Sequence, residues 1–228
     1  MCGRYTLSQS GDAIAAAFGI SAIPNLPPRF NIAPTQNVPA VLQAESDREL
    51  AERDRELQLL HWGLIPSWAK DPGIGNKMIN ARAETIAEKP SFRNAFKRRR
   101  CLIISDGFFE WQRREKRKQP FYFRVGEGEL FAFAGLWEHW QDASGTEINS
   151  CTIVTTDPNE LMAEFHDRMP VILHPEDYDR WLDSDSNSSD LQHLLRPFKA
   201  DRMQHYPVSL EVNNPRHDSP TCIEPVAA

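Results

Sequence analysis

Short runs of apolar and β-branched residues alternate with turn-forming residues along most of this 228-residue chain. Eight runs are bounded by Gly, Pro, Asp or Asn and have the length and composition of β-strands. The predicted strands are Arg4–Leu7, Pro39–Gln43, Leu57–Trp62, Leu102–Ile104, Phe121–Val125, Leu130–Leu136, Ser150–Thr155 and Val171–Leu173. Their close spacing favours hairpins and therefore a mainly antiparallel sheet.

Helical stretches are fewer and short. Asp12–Phe18 is rich in alanine and is followed by Gly19, a residue that commonly ends helices. Four more helices are predicted over Ser91–Arg99, Pro158–Phe165, Pro175–Leu182 and Leu191–Phe198. Helices scattered among hairpin-spaced strands predict an α+β fold: one compact domain with a mainly antiparallel, barrel-like β-sheet and peripheral short helices.

The chain contains no Gly/Pro/Ser-rich linker, so residues 1–228 are predicted to form a single domain. Residues 45–56 are strongly charged and interrupt the strand pattern, which indicates a solvated insertion between two strands. Residues from about 213 to 228, most clearly from Pro220 onward, are predicted to form a loosely held tail.

The charge of the chain argues weakly against a nucleic-acid ligand, because the formal net charge is -6. Two basic clusters, 97–100 and 113–118, could still form a positive face. Either cluster could instead be a solvated helix end or hairpin loop. For 113–118 this solvated alternative is favoured over a positive binding face. No apolar run approaches the roughly 18 residues that a membrane helix needs, and no secretory signal is recognisable.

The four cysteines lie far apart and form no C-x-x-C pair. Their spacing argues against a zinc site and against a disulfide framework, and it is typical of a protein in the reducing cytosol. We therefore expect a cytoplasmic protein without metal, cofactor or membrane partner. Nothing in the sequence requires an assembly larger than a monomer.

Cys2 follows the initiator methionine directly, and methionine is normally removed before a small side chain. The new terminus would then carry an α-amine and a thiol on adjacent carbons, which can capture an aldehyde as an imine and close a thiazolidine ring. Both groups have a usable nucleophilic fraction at neutral pH. On position alone, Cys2 could equally be the second residue of a frayed terminus.

Polar residues interrupt apolar surroundings at four places, where chemistry is expected. Glu110 lies among aromatic residues in 106–111, as either a proton carrier or a strand-end carboxylate paired with a cation. Asn80, Arg82 and Glu84 alternate with small apolar residues. They form either a donor-rich surface for a phosphate or an ordinary solvent face.

His166 and Arg168 follow a predicted helix, where His166 could act as an acid or base or could simply stabilise the helix end. Trp62 and Trp68 flank a Gly/Pro-containing loop. They could stack on exposed bases or fill the core, and the core role is predicted for Trp62. The thiol, the carboxyl and the histidine together would suit either a cysteine hydrolase or an aldehyde trap. A simple single-strand binder with an incidental cysteine is the third hypothesis.

Seven short motifs, taken in order, resemble the SOS-response-associated peptidase (SRAP) family and together span nearly the whole chain. The motifs are Met1-Cys2-Gly3-Arg4, Asn31-Ile32-Ala33-Pro34, Trp62–Trp68, Ile79–Thr85, Asp106–Trp111, His166–Pro170 and His205–Ser209. The resemblance implies a compact α+β domain with a positively charged cleft. It also implies covalent linkage to abasic sites in single-stranded DNA, in a DNA-damage response.

The resemblance further implies roles for individual residues. Cys2 would be the nucleophile, Asn80 would position the sugar or the Cys2 backbone, and Glu110 and His166 would move protons. The implied DNA-binding residues are Arg4, Arg82 and Arg168 for phosphates, Pro34 and Trp68 against a kinked strand, and Thr155 near the lesion. The implied activity is covalent crosslinking with lyase-like chemistry, with self-processing of Met1 as a peptidase-like step. The implied partner is single-stranded DNA that carries an abasic site, with the protein on the nucleoid when bound.

Overall fold

A computed structural model describes residues 2–21, 24–44, 55–114 and 117–227. The described residues form thirteen strands: β1 Tyr5–Leu7, β2 Arg29–Ile32, β3 Asn37–Gln43, β4 Arg55–Trp62, β5 Asn80–Arg82, β6 Arg100–Ser105, β7 Gly107–Arg114, β8 Arg117–Val125, β9 Phe131–Gln141, β10 Glu147–Thr156, β11 Met169–Pro170, β12 Ile172–Leu173 and β13 Met203–Pro207. The four α-helices are α1 Gly11–Phe18, α2 Arg93–Arg98, α3 Tyr178–Leu182 and α4 Ser188–Gln192. Short 3-10 helices connect several of these elements.

Five strands close into a barrel in the order β10-β4-β3-β6-β9, and β9 pairs back with β10. The short strands β5, β11 and β12 pair onto this barrel. The pairings are antiparallel except that β4 and β5 run parallel to β10. A second, antiparallel sheet has the order β13-β8-β7-β1-β2. The predicted α+β fold with a mainly antiparallel, barrel-like sheet is therefore confirmed.

The second sheet packs on the barrel through aromatic side chains. Tyr5 on β1 meets Trp62 at a ring-centroid distance of 5.3 Å and Phe133 at 5.7 Å, both edge to face. Phe108 on β7 lies 6.0 Å from Phe133. Trp62 is completely buried, as the sequence predicted. Edge-to-face pairs add to the free energy gained by burying apolar area, so this aromatic layer fixes β1 and β7 against the barrel.

Helix α1 confirms the sequence prediction at both ends. The Ser10 hydroxyl accepts a hydrogen bond from the Ala13 amide at 3.3 Å and caps the first turn. Gly19 adopts the left-handed conformation with φ of 65°, which a residue without Cβ reaches at no steric cost.

Two of the predicted helices are wrong. Only Met162–Glu164 is helical within 158–165, as a 3-10 turn, and α4 ends at Gln192 instead of spanning 191–198. The side chain of Asn159 explains the first difference. Its Oδ1 accepts from the Met162 amide at 2.8 Å and its Nδ2 donates to the Phe198 carbonyl at 2.7 Å, so tertiary contacts replace a regular helix.

The prediction of a loosely held C-terminal tail is also wrong for the described residues. Cys222 is completely buried, and the Val226 amide donates to the Pro207 carbonyl at 3.0 Å. The tail contributes to a second hydrophobic cluster with Phe109 and Tyr122. Burial of these apolar side chains holds the segment against β7 and β8.

The charged insertion falls largely outside the described residues, since 45–54 are not described. Its last two residues, Arg55 and Glu56, belong to β4 rather than to a solvated loop. The alternation predicted for 80–84 stops early, because β5 ends at Arg82 and Glu84 lies in the 3-10 helix Ala83–Thr85. In the part of the chain that is described, no helix has the length and apolar character needed to cross a membrane.

Candidate functional site

A cleft of about 930 Å³ opens where β1, β5, β7 and β8 meet the turn before β11. Its lining residues are Arg4, Arg82, Glu110, Trp111, Lys118, Phe165, His166, Asp167, Arg168 and Asn213. Four of them are cationic and two are carboxylates, so the lining is positive although the whole chain carries a formal charge of -6. A concave basic surface of this kind suits an anionic ligand.

Cys2 is completely buried beside this cleft, and its backbone is held by Asn80. The Asn80 Nδ2 group donates to the Cys2 carbonyl at 3.0 Å. Strand β5 carries Asn80 and pairs in parallel with β10, with Asn80 opposite Ile153. Asn80 Oδ1 is buried and accepts no hydrogen bond from any described residue, which leaves one acceptor next to Cys2.

The environment of the Cys2 thiol keeps it protonated at neutral pH. Burial raises the pKa of this thiol well above its usual range, and the negative charge of Glu110 raises it further. The Glu110 charge therefore acts directly on Cys2. Glu110 is itself buried on β7, opposite Phe121 on β8, and it reaches the cleft.

A buried polar network fixes β1, and with it Cys2, against the start of β7. The Asp106 carboxylate accepts hydrogen bonds from the Thr6 hydroxyl at 2.5 Å and from the Ser8 amide at 2.6 Å. Tyr122 lies close against Gly107, where an added Cβ would come within 2.1 Å of the tyrosine hydroxyl oxygen. A side chain at this position would displace the Tyr122 ring, whose hydroxyl lies 2.9 Å from the Thr6 hydroxyl.

His166 lies at the rim of the cleft with two partners at one ring nitrogen. Its Nδ1 accepts from the Arg168 amide at 3.0 Å and lies 2.7 Å from Asp167 Oδ1. With Nδ1 as the acceptor of the Arg168 amide hydrogen, the neutral ring carries its proton on Nε2 and can donate from there.

Arg168 is almost fully buried and its charge is already matched. Its guanidinium makes a two-point contact with Glu84, at 2.7 and 2.9 Å, and also reaches Asp157 at 3.2 Å. The hydrogen bond from Arg168 lowers the pKa of Glu84. These contacts tie the turn that carries His166 to the 3-10 helix that carries Glu84. A phosphate contact by Arg168 stays a prediction.

Arg4 and Arg82 line the cleft, and their contacts with phosphates stay a prediction. Five further residues line the cleft and were not predicted as site residues: Trp111, Lys118, Phe165, Asp167 and Asn213. Lys118 belongs to the basic cluster 113–118, which was interpreted as a solvated hairpin loop. The basic character of this cluster could have indicated that Lys118 belongs to the site, because Lys118 on β8 lines the same cleft as Arg4.

Three of the predicted DNA-binding residues do not line the cleft. Trp68 is exposed over 58% of its surface and Pro34 is half-buried, while Thr155 is completely buried. The Thr155 hydroxyl donates to the Ala81 carbonyl at 3.4 Å. Of the predicted site residues, Arg4, Arg82, Glu110, His166 and Arg168 line one cleft, whereas Cys2 and Asn80 contact each other and are not among its lining residues. The DNA contacts of Pro34, Trp68 and Thr155 stay predictions.

The sequence matches the family model described as SOS response associated peptidase (SRAP) over residues 1–215. Abasic site processing protein YoqW of Bacillus subtilis is 47% identical over 231 residues, which cover 98% of this chain and 99% of that protein. Abasic site processing protein HMCES of Xenopus tropicalis is 33% identical over 221 residues, covering 86% of this chain and 65% of that protein. A crystal structure of a Bacteroides thetaiotaomicron protein superimposes with a TM-score of 0.88 at 28% identity, covering 99% of this chain and 100% of that one. The chain belongs to the SRAP family.

Proposed function

We propose that this protein processes abasic sites in single-stranded DNA by forming a covalent thiazolidine link through Cys2. The observation that carries the proposal is the position of Cys2, held by Asn80 and next to Glu110 beside a positively charged cleft. The relatives named abasic site processing proteins support it. A ring-opened abasic site presents an aldehyde on a polyanionic strand, which matches both the nucleophile and the charge of the cleft.

The chemistry requires removal of Met1, which frees the α-amine of Cys2. The amine adds to the aldehyde carbon, and loss of one water gives an imine. The thiol then adds across the C=N bond, so that a C–S bond forms and the thiol proton passes to nitrogen. The five-membered ring that results needs no oxidant or reductant.

A raised thiol pKa fits this order of steps, because the amine reacts first and the thiol follows as a neutral group. We assign Glu110 to the proton transfers of ring opening and imine formation, since its charge already acts on Cys2. His166 at the cleft rim would carry protons to and from the sugar and assist in reversal of the link. Asn80 Oδ1 offers an acceptor for the Cys2 amine or for a sugar hydroxyl.

Binding of the strand rests on the cationic side chains of the cleft. Arg4, Arg82 and Lys118 would contact phosphates. Such contacts weaken as the salt concentration rises, because the release of counterions from the DNA then gains less free energy. The covalent link would shield the lesion while the DNA around it is single-stranded. In this proposal the protein acts as a cytoplasmic monomer that is nucleoid-associated when bound to DNA.

The first prediction tests the covalent step. Wild-type protein mixed with single-stranded DNA that carries one abasic site should give a retarded band on a denaturing gel. Cys2→Ala should abolish this band, because the variant has no sulfur and cannot form the C–S bond that closes the thiazolidine ring. Cys222→Ala is the matched control, since it removes another buried thiol and should leave the band intact.

The intact mass of the purified protein completes this test. We expect the mass that corresponds to loss of Met1, and the crosslinked product should lack one water relative to the sum of protein and DNA. Absence of a covalent band with the wild-type protein would refute the proposal.

A cysteine peptidase using Cys2, His166 and Glu110 is the alternative that the sequence left open. Such enzymes activate the thiol as a thiolate through a neighbouring histidine. Burial and Glu110 both favour the protonated thiol here, and no hydrogen bond or ion pair joins Cys2 to His166 among the described residues. The geometry therefore supports the aldehyde reaction better, and turnover of a peptide library without DNA would support the peptidase instead.

A further inference from the structure

The C-terminal segment, defined as residues 208–227, packs beside β2 and β7 and forms one wall of the cleft. Two of its residues reach the site: Asn213 lines the cleft, and the Val212 carbonyl accepts a hydrogen bond from Arg4 Nη1 at 2.7 Å. The family model ends at residue 215, so the end of this segment lies beyond the matched stretch.

Arg4 is held from two sides at the same nitrogen. Its Nη1 donates to Asn31 Oδ1 at 2.7 Å as well as to Val212. The guanidinium carbon lies 5.9 Å from the centre of the Trp111 ring, and the Trp111 indole N–H donates to Asn213 Oδ1 at 2.7 Å. A cation at this distance from an aromatic face is attracted to it. One edge of the guanidinium is thus fixed, while the side chain still lines the cleft.

The segment is in turn tied to β2 by two side chains. Asn31 Nδ2 donates to the carbonyls of Val212, Asn214 and His217 at 3.2, 3.0 and 2.7 Å. The Asp218 carboxylate accepts from the Phe30 and Asn31 amides at 2.5 and 3.0 Å. It also forms an ion pair with Arg29 at 2.5 Å. Asn31 therefore holds both the segment and Arg4.

We propose that the C-terminal segment positions Arg4 for a DNA phosphate, and that Asp218 and Asn213 are positioning residues for this contact. The inference rests on the proposed function, since it assumes that the cleft binds DNA. Asp218 acts through β2 and the Val212 carbonyl, and Asn213 acts through Trp111. Neither residue is assigned a part in the covalent step.

The test is equilibrium binding to single-stranded DNA carrying a tetrahydrofuran abasic analogue, which has no aldehyde and cannot crosslink. Asp218→Ala should weaken binding about fivefold at low salt and reduce the slope of log Kd against log salt by about 0.7, the value for one lost phosphate contact on a single strand. Arg4→Ala should show the same change. The Arg4→Ala/Asp218→Ala double variant should be no weaker than the weaker single variant, because both lose the same contact.

Glu224→Ala is the matched control, since it removes an exposed carboxylate from the same segment and should leave Kd and the salt slope unchanged. Asn213→Ala is a second, milder variant that tests the same contact if Asp218→Ala unfolds, as thermal melting would reveal. It should weaken binding about twofold by releasing Trp111. The crosslinking rate at saturating DNA should stay within about twofold of wild type for both variants.

The inference would be overturned if Asp218→Ala and Asn213→Ala both left Kd and the salt slope unchanged. It would also be overturned if the losses of affinity multiplied in the Arg4→Ala/Asp218→Ala double variant. A slower crosslinking rate at saturating DNA with an unchanged Kd would overturn it as well. The proposed function fails separately. It fails if the wild-type protein gives no covalent band with the true abasic site, whatever the variants do to Kd.

Discussion

Glu110 is the residue on which the proposed proton transfers depend. Glu110→Gln keeps the size of the side chain but removes its ability to take up a proton. Crosslinking should slow by about 10²-fold, a typical contribution of one general acid or base. Binding of a non-reactive abasic analogue should be retained. The measurement is the single-turnover rate of band formation with excess protein.

Glu138→Gln is the matched control for this prediction. Glu138 is also buried, and burial raises the pKa of its carboxyl. It forms an ion pair with Arg99 at a distance of 2.5 Å and does not line the cleft. Its replacement should leave the crosslinking rate unchanged. If Glu110→Gln reacts as fast as wild type, the carboxyl has no part in the mechanism.

The local pattern singled out Glu110 and His166, and both line the cleft. It did not decide the roles of Cys2 and Asn80, which only the family resemblance implied. The basic cluster 113–118 was a signal for Lys118 but did not show which way its side chains point, and Asn213 had no local signal at all. Only the pairing of β8 with β7 and the packing of the C-terminal segment bring them to the cleft.

At the scale of elements, one buried arginine joins the ends of two helices. Arg100 is the first residue of β6. Its guanidinium donates to the carbonyls of Phe96 in α2 at 2.7 Å and of Trp181 in α3 at 2.6 Å. It also donates to the carbonyl of Asp183, just beyond α3. Burial lowers the pKa of its guanidinium. A cation at helix C-termini satisfies carbonyls that have no partner within the helix.

Arg100→Met should lower the free energy of unfolding by about 3 kcal/mol, because three buried carbonyls lose their donor. Arg98→Met is the control from the same basic run. Arg98 is exposed, so its replacement should change stability by less than about 0.5 kcal/mol. Urea unfolding at pH 7 measures both values, and equal stabilities of the two variants would contradict the role of Arg100.

Strand positions were the most predictable elements, since apolar runs with Gly or Asp at their ends gave most of the barrel. Short strands such as β2 and β13 escaped prediction because they have mixed composition and exist through pairing with other segments. The alternation of β5 was recognised, but its end is set by pairing with β10, more than seventy residues later. The basic run 97–100 likewise contains one buried arginine, Arg100, which its composition does not distinguish from its more exposed neighbours.

At the scale of the whole molecule, four buried thiols make stability depend on pH. Burial raises the pKa of Cys2, Cys101, Cys151 and Cys222 above the ordinary value of 9.0. In the unfolded chain these thiols lose protons from about pH 9, whereas the folded protein keeps them. The folded state then binds more protons, so the free energy of unfolding falls as the pH rises past this point.

Each thiol should contribute up to about 1.4 kcal/mol per pH unit to this loss. Urea unfolding at pH 7, 8, 9 and 10 should show a plateau followed by a decline. The Cys101→Ala/Cys151→Ala variant should be less stable at pH 7 because of lost packing, but its decline should be shallower. An identical decline in the variant would show that these thiols do not cause it.

The contact between Arg4 and the Val212 carbonyl spans 208 positions of the chain. A ribosome releases Arg4 more than two hundred residues before Val212, so the contact that holds Arg4 cannot form until residue 212 has been made. The hydrogen bonds of Asp218 to β2 come later still. A nascent chain that has been made only as far as β13 therefore carries Cys2 without the contact that positions Arg4.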